Sequence, residues 1–433
     1  MLRALFRQAL LFAALASPVI AQPDLRGHGG PVRALSVAPG GAHAISGSFD
    51  SSAILWALDR GRALAILRAH DGSVNAVLAL PGGRFVTGGE DGRIAHWRSG
   101  DDKPVRVARV HDGPVSGLAA SAGGDLIASS SWDGTARVEA AANGRELLRL
   151  KGHKDNVNAV AFLSDGRIAT AGYDATLRIW PAAGGDPQIM EFDAPLNTLA
   201  TLPGDRLAAG AADGSVRLLN ADGSIAARIE ATKTPVIALA GSPDGGMLAA
   251  ASPRGAVALI DVAGLRVRQT LTGPGLPVWS LAFSPDGKTL YSGGGDRLVR
   301  RWNPATGEHI GAVVAERPAD DFAALPEAAR ANARGIEVFG ACSVCHTLRP
   351  DDENRAGPTL HGVFGRKAGT APGYNYSDAF RKLDLTWTPE TVSRLFEIGP
   401  QAYTPGTKMP EQRVTSAEDR AALIEFLKAA TAP

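Results

Sequence analysis

The sequence predicts a chain of two unlike domains, an all-β seven-bladed propeller followed by a small all-α domain. Three observations predict it. A repeat with a period near 41 residues runs from about Leu25 to Gly307. Inside each repeat, short apolar runs are split by turns bearing Gly, Asp and Pro. The period stops after residue 312, and beyond a short linker (313–325) the segment 326–433 turns to helix-forming composition. A chain of 433 residues has room for two domains of these sizes.

The period shows first in aspartates. Asp50, Asp91, Asp133, Asp174, Asp213 and Asp296 lie 41, 42, 41, 39 and then 83 residues apart; the last interval spans two periods, and Arg254 holds the skipped slot. Six residues after these slots stand Trp56, Trp97, Glu139, Trp180, Leu219, Ile260 and Trp302. His28, His70, His111 and His153 precede the first four aspartates by 21 or 22 residues. A period of about 40–45 residues with such signals marks blades of four short strands. Val74–Leu80, Phe85–Gly88 and Ile94–Trp97 read as strands, separated by Pro81-Gly82-Gly83 and Glu90-Asp91-Gly92. Asp-Gly pairs at 91, 133 and 213 are hairpin signals, because Gly accepts the positive φ such turns require.

On these residues, positions 25–312 resemble the WD-repeat family. The resemblance implies a hydrogen-bonded network in each blade: His28, Ser46, Asp50 and Trp56 in the first, His70, Thr87, Asp91 and Trp97 in the second, His153, Thr170, Asp174 and Trp180 in the fourth. Blade three carries Glu139 in place of tryptophan, blade five lacks the histidine and has Leu219, and blade six has Arg254 and Ile260. These three blades are expected to rely on packing alone. Propellers of this family mostly hold protein partners, and a fold does not determine chemistry.

Composition narrows the function. A net charge of +1 gives no electrostatic footprint for nucleic acid. With only two cysteines, a disulfide-stapled fold is excluded. Four of the nine histidines sit at network positions, leaving His43, His96 and His309 for any metal site in the propeller, too few for a multi-histidine copper cluster. His96 reads as a satisfied structural histidine. No nucleophile motif or quinone-cofactor signature stands out.

Residues 1–21 read as a cleavable signal peptide: Arg3 and Arg7, an apolar run from Ala9 to Ala16, and Val19-Ile20-Ala21 at the cleavage site. The run is shorter than the roughly 20 residues a span requires. The expected mature protein begins at Gln22, has no transmembrane segment and is periplasmic.

In the second domain, Pro326 opens a helical run from Glu327 to Phe339, expected to end near Gly340. Cys342-Ser343-Val344-Cys345-His346 follows. Two thiols at this spacing match the two vinyl groups of haem, and His346 then stands as an axial ligand to the iron. A redox dithiol would sit after a strand in a βαβ unit, and a zinc site would need further ligands at matching spacing; the sequence offers neither.

Downstream stand Gly357-Pro358-Thr359-Leu360-His361-Gly362, Gly373-Tyr374-Asn375-Tyr376, Trp387 and Pro405-Gly406-Thr407-Lys408-Met409-Pro410, before a helical end around Asp419–Leu427. Over about 105 residues this resembles the class I cytochromes c of mitochondria and alphaproteobacteria. The resemblance implies one covalently attached haem c, with Met409 as second axial ligand and the Pro358 carbonyl accepting the ring N–H of His346. It further implies that Arg366, Tyr376 and Trp387 bond a buried propionate, that Thr407 flanks the methionine loop, and that Gly335 and Phe339 pack against Phe426. His361 is assigned a structural role. Phe380 replaces a residue that is often polar. From Asp320 on there are 13 basic and 15 acidic residues, a net of −2, so the strong basic field used by many relatives is absent, although Lys367, Arg381, Lys382 and Lys408 leave room for a local patch.

The expectation is an exported one-electron carrier, not an enzyme, whose propeller docks redox protein partners or a membrane respiratory complex. The alternative is a propeller–cytochrome oxidoreductase in which the propeller binds a substrate and exchanges electrons with the haem.

Overall fold

The computed structural model describes residues 24–101, 103–310, 322, 325–343, 346–348, 357–372, 374, 376, 378–405, 407, 409 and 413–432. The stretch read as a signal peptide, Cys345, Gly406, Lys408 and most of the stretch read as linker lie outside the described residues.

Among the described residues, twenty-eight strands form seven four-stranded antiparallel sheets. Blade one runs Val32–Val37, His43–Ser48, Ala53–Ala57 and Arg62–Leu67. The first strand of each sheet contacts the first strands of both neighbours, so the sheets close into a ring with these strands innermost. In six blades the innermost strand carries a register shift at its start, as between Val32 and Ala34 and between Val74 and Ala76. Such bulges sharpen the twist that a radially packed sheet needs.

The ring closes by a pairing that the repeat pattern does not reveal. Blade seven takes three strands from Val278–Trp302 and its outer strand from Leu25–Arg26, which pair with Val299 and Leu298. Beside this seam, Asp24 meets His309 at 2.8 Å and Arg300 at 3.5 Å.

The expected networks form in the blades that carry the full residue set. In blade two, Trp97 Nε1–H donates to Thr87 Oγ1 at 3.0 Å, and Thr87 lies 2.8 Å from His70 Nε2. His70 Nδ1 lies 3.1 Å from Asp91. One tautomer satisfies the whole chain: the Thr87 hydroxyl donates to Nε2 and Nδ1–H donates to the carboxylate. Blades one and four repeat the arrangement, with Trp56 to Ser46 at 2.7 Å and Trp180 to Thr170 at 2.9 Å.

Blades three and five correct the expectation of packing alone. Glu139 accepts from Arg106 at 2.6 Å and meets His96 at 2.7 Å, so the missing tryptophan is replaced by a buried ionic cluster that ties blades two and three together. His111 still reaches Ser129 at 2.8 Å and Asp133 at 3.0 Å. In blade five, the buried Arg217 guanidinium donates to Asp213 at 3.1 Å and also to Asp193 and Ser215. Blade six does rely on apolar packing, with Ile260 fully buried against Leu248, Ala250 and blade-five residues such as Leu218. Burying such a side chain contributes about 1.5–3 kcal/mol.

The C-terminal region comprises, among the described residues, six helices and long irregular connections: α1 (Glu327–Ala331), α2 (Ala333–Ser343), α3 (Asp378–Arg381), α4 (Pro389–Ile398), α5 (Pro400–Tyr403) and α6 (Ala417–Ala430). The single helical run expected from Glu327 is interrupted at Asn332, whose Oδ1 accepts the Gly335 N–H at 2.8 Å. It also extends past Gly340, so Cys342 lies within α2. Phe322 and Leu325, inside the stretch read as linker, belong to this region's core, and Phe322 packs edge-on against Phe339 and Phe426.

Acid should destabilise the propeller in two stages. Burial pushes His111 and His153 below their ordinary 6.5, against the pull of Asp133 and Asp174. The folded chain therefore resists a proton that the unfolded chain accepts, and the stability present above about pH 6.5 falls as the pH drops through it. Burial pushes Asp91 up, but hydrogen bonds from His70 and the Asp71 N–H prevail and hold it at about 2, so its contribution is lost only as the pH falls from the ordinary carboxylate range towards 2. The urea midpoint should drop between pH 7 and 5, and His111→Asn with His153→Asn should flatten that slope. A midpoint constant from pH 8 to 5 would contradict neutral, buried imidazoles.

Candidate functional site

Helix α2 sets the site. Asn332 caps its start, and the close approach of α2 to α6 depends on Gly335, where a Cβ would lie 2.5 Å from Phe426 Cβ and 2.6 Å from the Ala422 carbonyl. Phe339 and Phe426 then pack at 5.2 Å between ring centroids. An exposed two-pronged ion pair, Arg334 to Asp419 at 2.7 and 2.9 Å, joins the same two helices at the surface, where water and salt screen it.

Cys342 sits at the C-terminal end of α2, buried against this core. Burial pushes its thiol up to about 12, so the neutral S–H is the form held there. The His346 N–H donates to the Cys342 carbonyl at 3.0 Å, carrying the helical hydrogen-bond pattern one turn further and placing His346 one turn beyond Cys342.

His346 is oriented from the opposite side. Its Nδ1–H donates to the Pro358 carbonyl at 2.7 Å. That carbonyl is held by the neighbouring Leu360 N–H, which donates to Thr347 at 2.8 Å. Gly357 lies flush on the ring: a Cβ there would come within 2.4 Å of Cε1. Arg366 braces the turn, donating to the carbonyls of Thr359 at 2.7 Å and His361 at 3.0 Å. This bracing role was not anticipated from sequence, because backbone acceptors leave no residue-type signal.

Met409 and Trp387 pack against the core that contains Cys342. Thr407 is buried; its N–H donates to the Thr404 carbonyl at 3.0 Å, and its hydroxyl accepts the Met409 N–H at 3.1 Å. Tyr376 stacks on Phe380 at 5.3 Å with planes 7° apart, and Phe380 leans on Trp387 at 6.3 Å. Phe380, the apolar departure noted in the sequence, is thus the middle ring of this row. Burial pushes the Tyr376 phenol up, with Arg366 pulling the other way.

This donor set fits a haem c. An imidazole with one nitrogen committed to a carbonyl offers the other to a metal. A ring packed against the bare Cα of Gly357, a buried thiol one turn away and a thioether on the same apolar core complete the fit among the described residues.

Known proteins agree. Ninety-nine residues of the chain, 23% of its length, are 42% identical to cytochrome c of Gibberella zeae and span 92% of that protein. The chain belongs to the cytochrome c family. Cytochrome c2 of Blastochloris viridis is 43% identical over 103 residues, 24% of this chain and 80% of that protein. Cytochrome c of Arabidopsis thaliana is 42% identical over 99 residues. Family membership makes covalently attached haem c the cofactor implied for the cytochrome segment, which is an electron-transfer haem module. Outside it, a family described as "WD domain, G-beta repeat" matches residues 21–57, 61–98, 102–138, 144–181 and 265–303. The unmatched interval holds most of blades five and six, which lack the histidine, as blade seven does. The crystal structure of the WD40 β-propeller domain of Doa1 aligns with a TM-score of 0.58 and 22% identity, covering 65% of this chain and 96% of that one, a likeness of fold alone.

Gly357→Ala should displace the His346 ring and cut the yield of haem-loaded protein several-fold, measured as haem absorbance per polypeptide. An unchanged yield and spectrum would contradict the close contact of Gly357 with the imidazole.

Proposed function

We propose that the chain is an exported c-type cytochrome that carries single electrons through a haem ligated by His346 and Met409, with the propeller as its docking scaffold for redox protein partners. The observation that carries this reading is the 2.7 Å bond from His346 Nδ1–H to the Pro358 carbonyl. It commits one imidazole nitrogen and leaves Nε2 as the donor for iron, while the carbonyl raises the ring's basicity. The haem, when bound, supplies reversible exchange of one electron between ferric and ferrous iron.

The remaining residues bind and orient. Cys342 and Cys345 are the anchoring thiols. Thr407 pins the backbone at Met409 through its hydroxyl, which restricts where the thioether sulfur can go. A soft sulfur donor favours the ferrous state and raises the potential. Arg366, Tyr376 and Trp387 are the proposed propionate-side residues, and the braced position of Arg366 keeps its charge near the Tyr376 phenol. Trp132 and Tyr173, 47% and 50% exposed, offer aromatic contact area on loops of the propeller, suited to docking a redox protein. The near-neutral charge of the cytochrome segment supports the same division of labour, since fast electrostatic steering is not available to it.

Ligation is tested with Met409→Ala in the full, haem-loaded chain. The variant should lower the reduction potential and bind carbon monoxide rapidly in the ferrous state, whereas the parent protein binds it poorly. An unchanged potential, or rapid stoichiometric binding by the parent protein, would refute Met409 as the second ligand.

A further inference from the structure

The antiparallel meander gathers one set of loops at one end of every blade. The connection between the second and third strands of blade one carries Phe49 and Asp50. The connection leading into blade two carries Arg68 and His70. Both lie at the same end, where the innermost strands also begin. At that end Phe49 packs edge-on against Trp279 at 6.2 Å, and the Arg33 guanidinium lies over Trp279 at 5.3 Å.

Arg68 stands apart from these contacts within the ring. Its guanidinium lies 5.3 Å from the centre of the Tyr374 ring, a residue of the cytochrome segment, and its Nε and Nη1 are shut off from solvent. A loop arginine whose head is buried beneath another domain has surrendered hydration and needs an acceptor in return. Tyr374 supplies a ring face to this cation, and its phenol feels the Arg68 charge. Burial pushes the phenol up to about 12, with Arg68 opposing that rise, which marks the tyrosine as covered.

Each side of this contact is backed by a rigid element. On the propeller, Asp50 meets His28 at 3.1 Å within the blade network and feels the Arg68 charge. On the cytochrome side, Tyr374 packs against Tyr376 at 4.7 Å, the first step of the aromatic row that continues through Phe380 to Trp387. A row of side-chain contacts therefore runs from Arg68, whose charge Asp50 of the blade-one network feels, to the apolar core holding Cys342 and Met409.

We propose that this face of the propeller, at blades one and two, is the seat of the chain's own cytochrome segment, with Arg68 on Tyr374 as the anchoring contact. The inference goes beyond the docking of outside partners and does not depend on the haem ligands assigned above. It gives the propeller a second role, holding the haem module by its aromatic side, and assigns one sector of the face to an occupant within the molecule.

The test is amide hydrogen exchange on the full haem-loaded chain. Residues 49–52 and 68–73 of the propeller and 366–388 of the cytochrome segment should be protected together. Arg68→Ala should raise exchange in both sets roughly tenfold, the order expected for loss of a desolvated cation–π contact, with the blade-four strands unchanged. Tyr374→Ala, made in the other domain, should do the same, while Tyr374→Phe keeps the ring and should retain most of the protection. If the two sets exchange in the parent protein as fast as exposed loops, or if both alanine variants leave them unchanged, the proposal is overturned. Exchange that rises only in the domain carrying each substitution would also overturn it, because a shared interface must open on both sides.

Discussion

An imidazole has two nitrogens, and a hydrogen bond at one decides what the other can offer. In this chain the decision is made by the Pro358 carbonyl, 2.7 Å from His346 Nδ1. Much of the cytochrome segment can be read as support for that bond. Asn332 and Gly335 bring α2 against α6, α2 runs on far enough to carry Cys342, and one more helical hydrogen bond delivers His346. From the other direction, Leu360 on Thr347 and Arg366 on two carbonyls fix the turn that presents Pro358. The bare Cα of Gly357 is what lets the two halves meet.

The propeller solves a different problem. Each sheet must hold the same shape against two neighbours with little variation in strand length. Where the histidine, hydroxyl, aspartate and tryptophan coexist, a relay of hydrogen bonds inside the blade does this. In blades three and five, where a member is missing, the chain substitutes another buried polar solution, Glu139 with His96 and Arg106, or Arg217 with Asp213. Charged groups this buried require partners with good geometry. Losing one partner leaves the other uncompensated, so these clusters are the places where single substitutions should matter most.

The blades were legible because their signals recur: an aspartate every 41 or so residues and a tryptophan six later make a repeat visible in one sequence. The candidate haem-binding residues stand out because Cys-x-x-Cys-His and the Met409 loop couple residue type to spacing. What escaped detection were pairings between distant or dissimilar positions. Leu25–Arg26 closing blade seven spans the whole repeat region, and a two-residue strand has no periodicity of its own. Glu139 looked like a gap in the pattern because its partners, His96 and Arg106, lie in the preceding repeat. The break at Asn332 was hidden by good helix formers on both sides, and the continuation of α2 past Gly340 by a glycine that usually ends helices. Arg68 and Tyr374 carry no shared signal at all; only the folded chain brings them together.

The proposed tethered electron carrier joins these two parts: a haem module whose candidate ligands are positioned locally, and a ring whose loops present aromatic and charged groups to other surfaces. Attachment of the haem decides the account more directly than any rate. Intact-mass and peptide mass spectrometry of the full chain purified from a host with haem-attachment machinery is the measurement. One haem per chain should survive acid–acetone extraction and be carried by the peptide from Cys342 to His346. Haem that extracts into acetone, or a chain that matures with both thiols free, would contradict it.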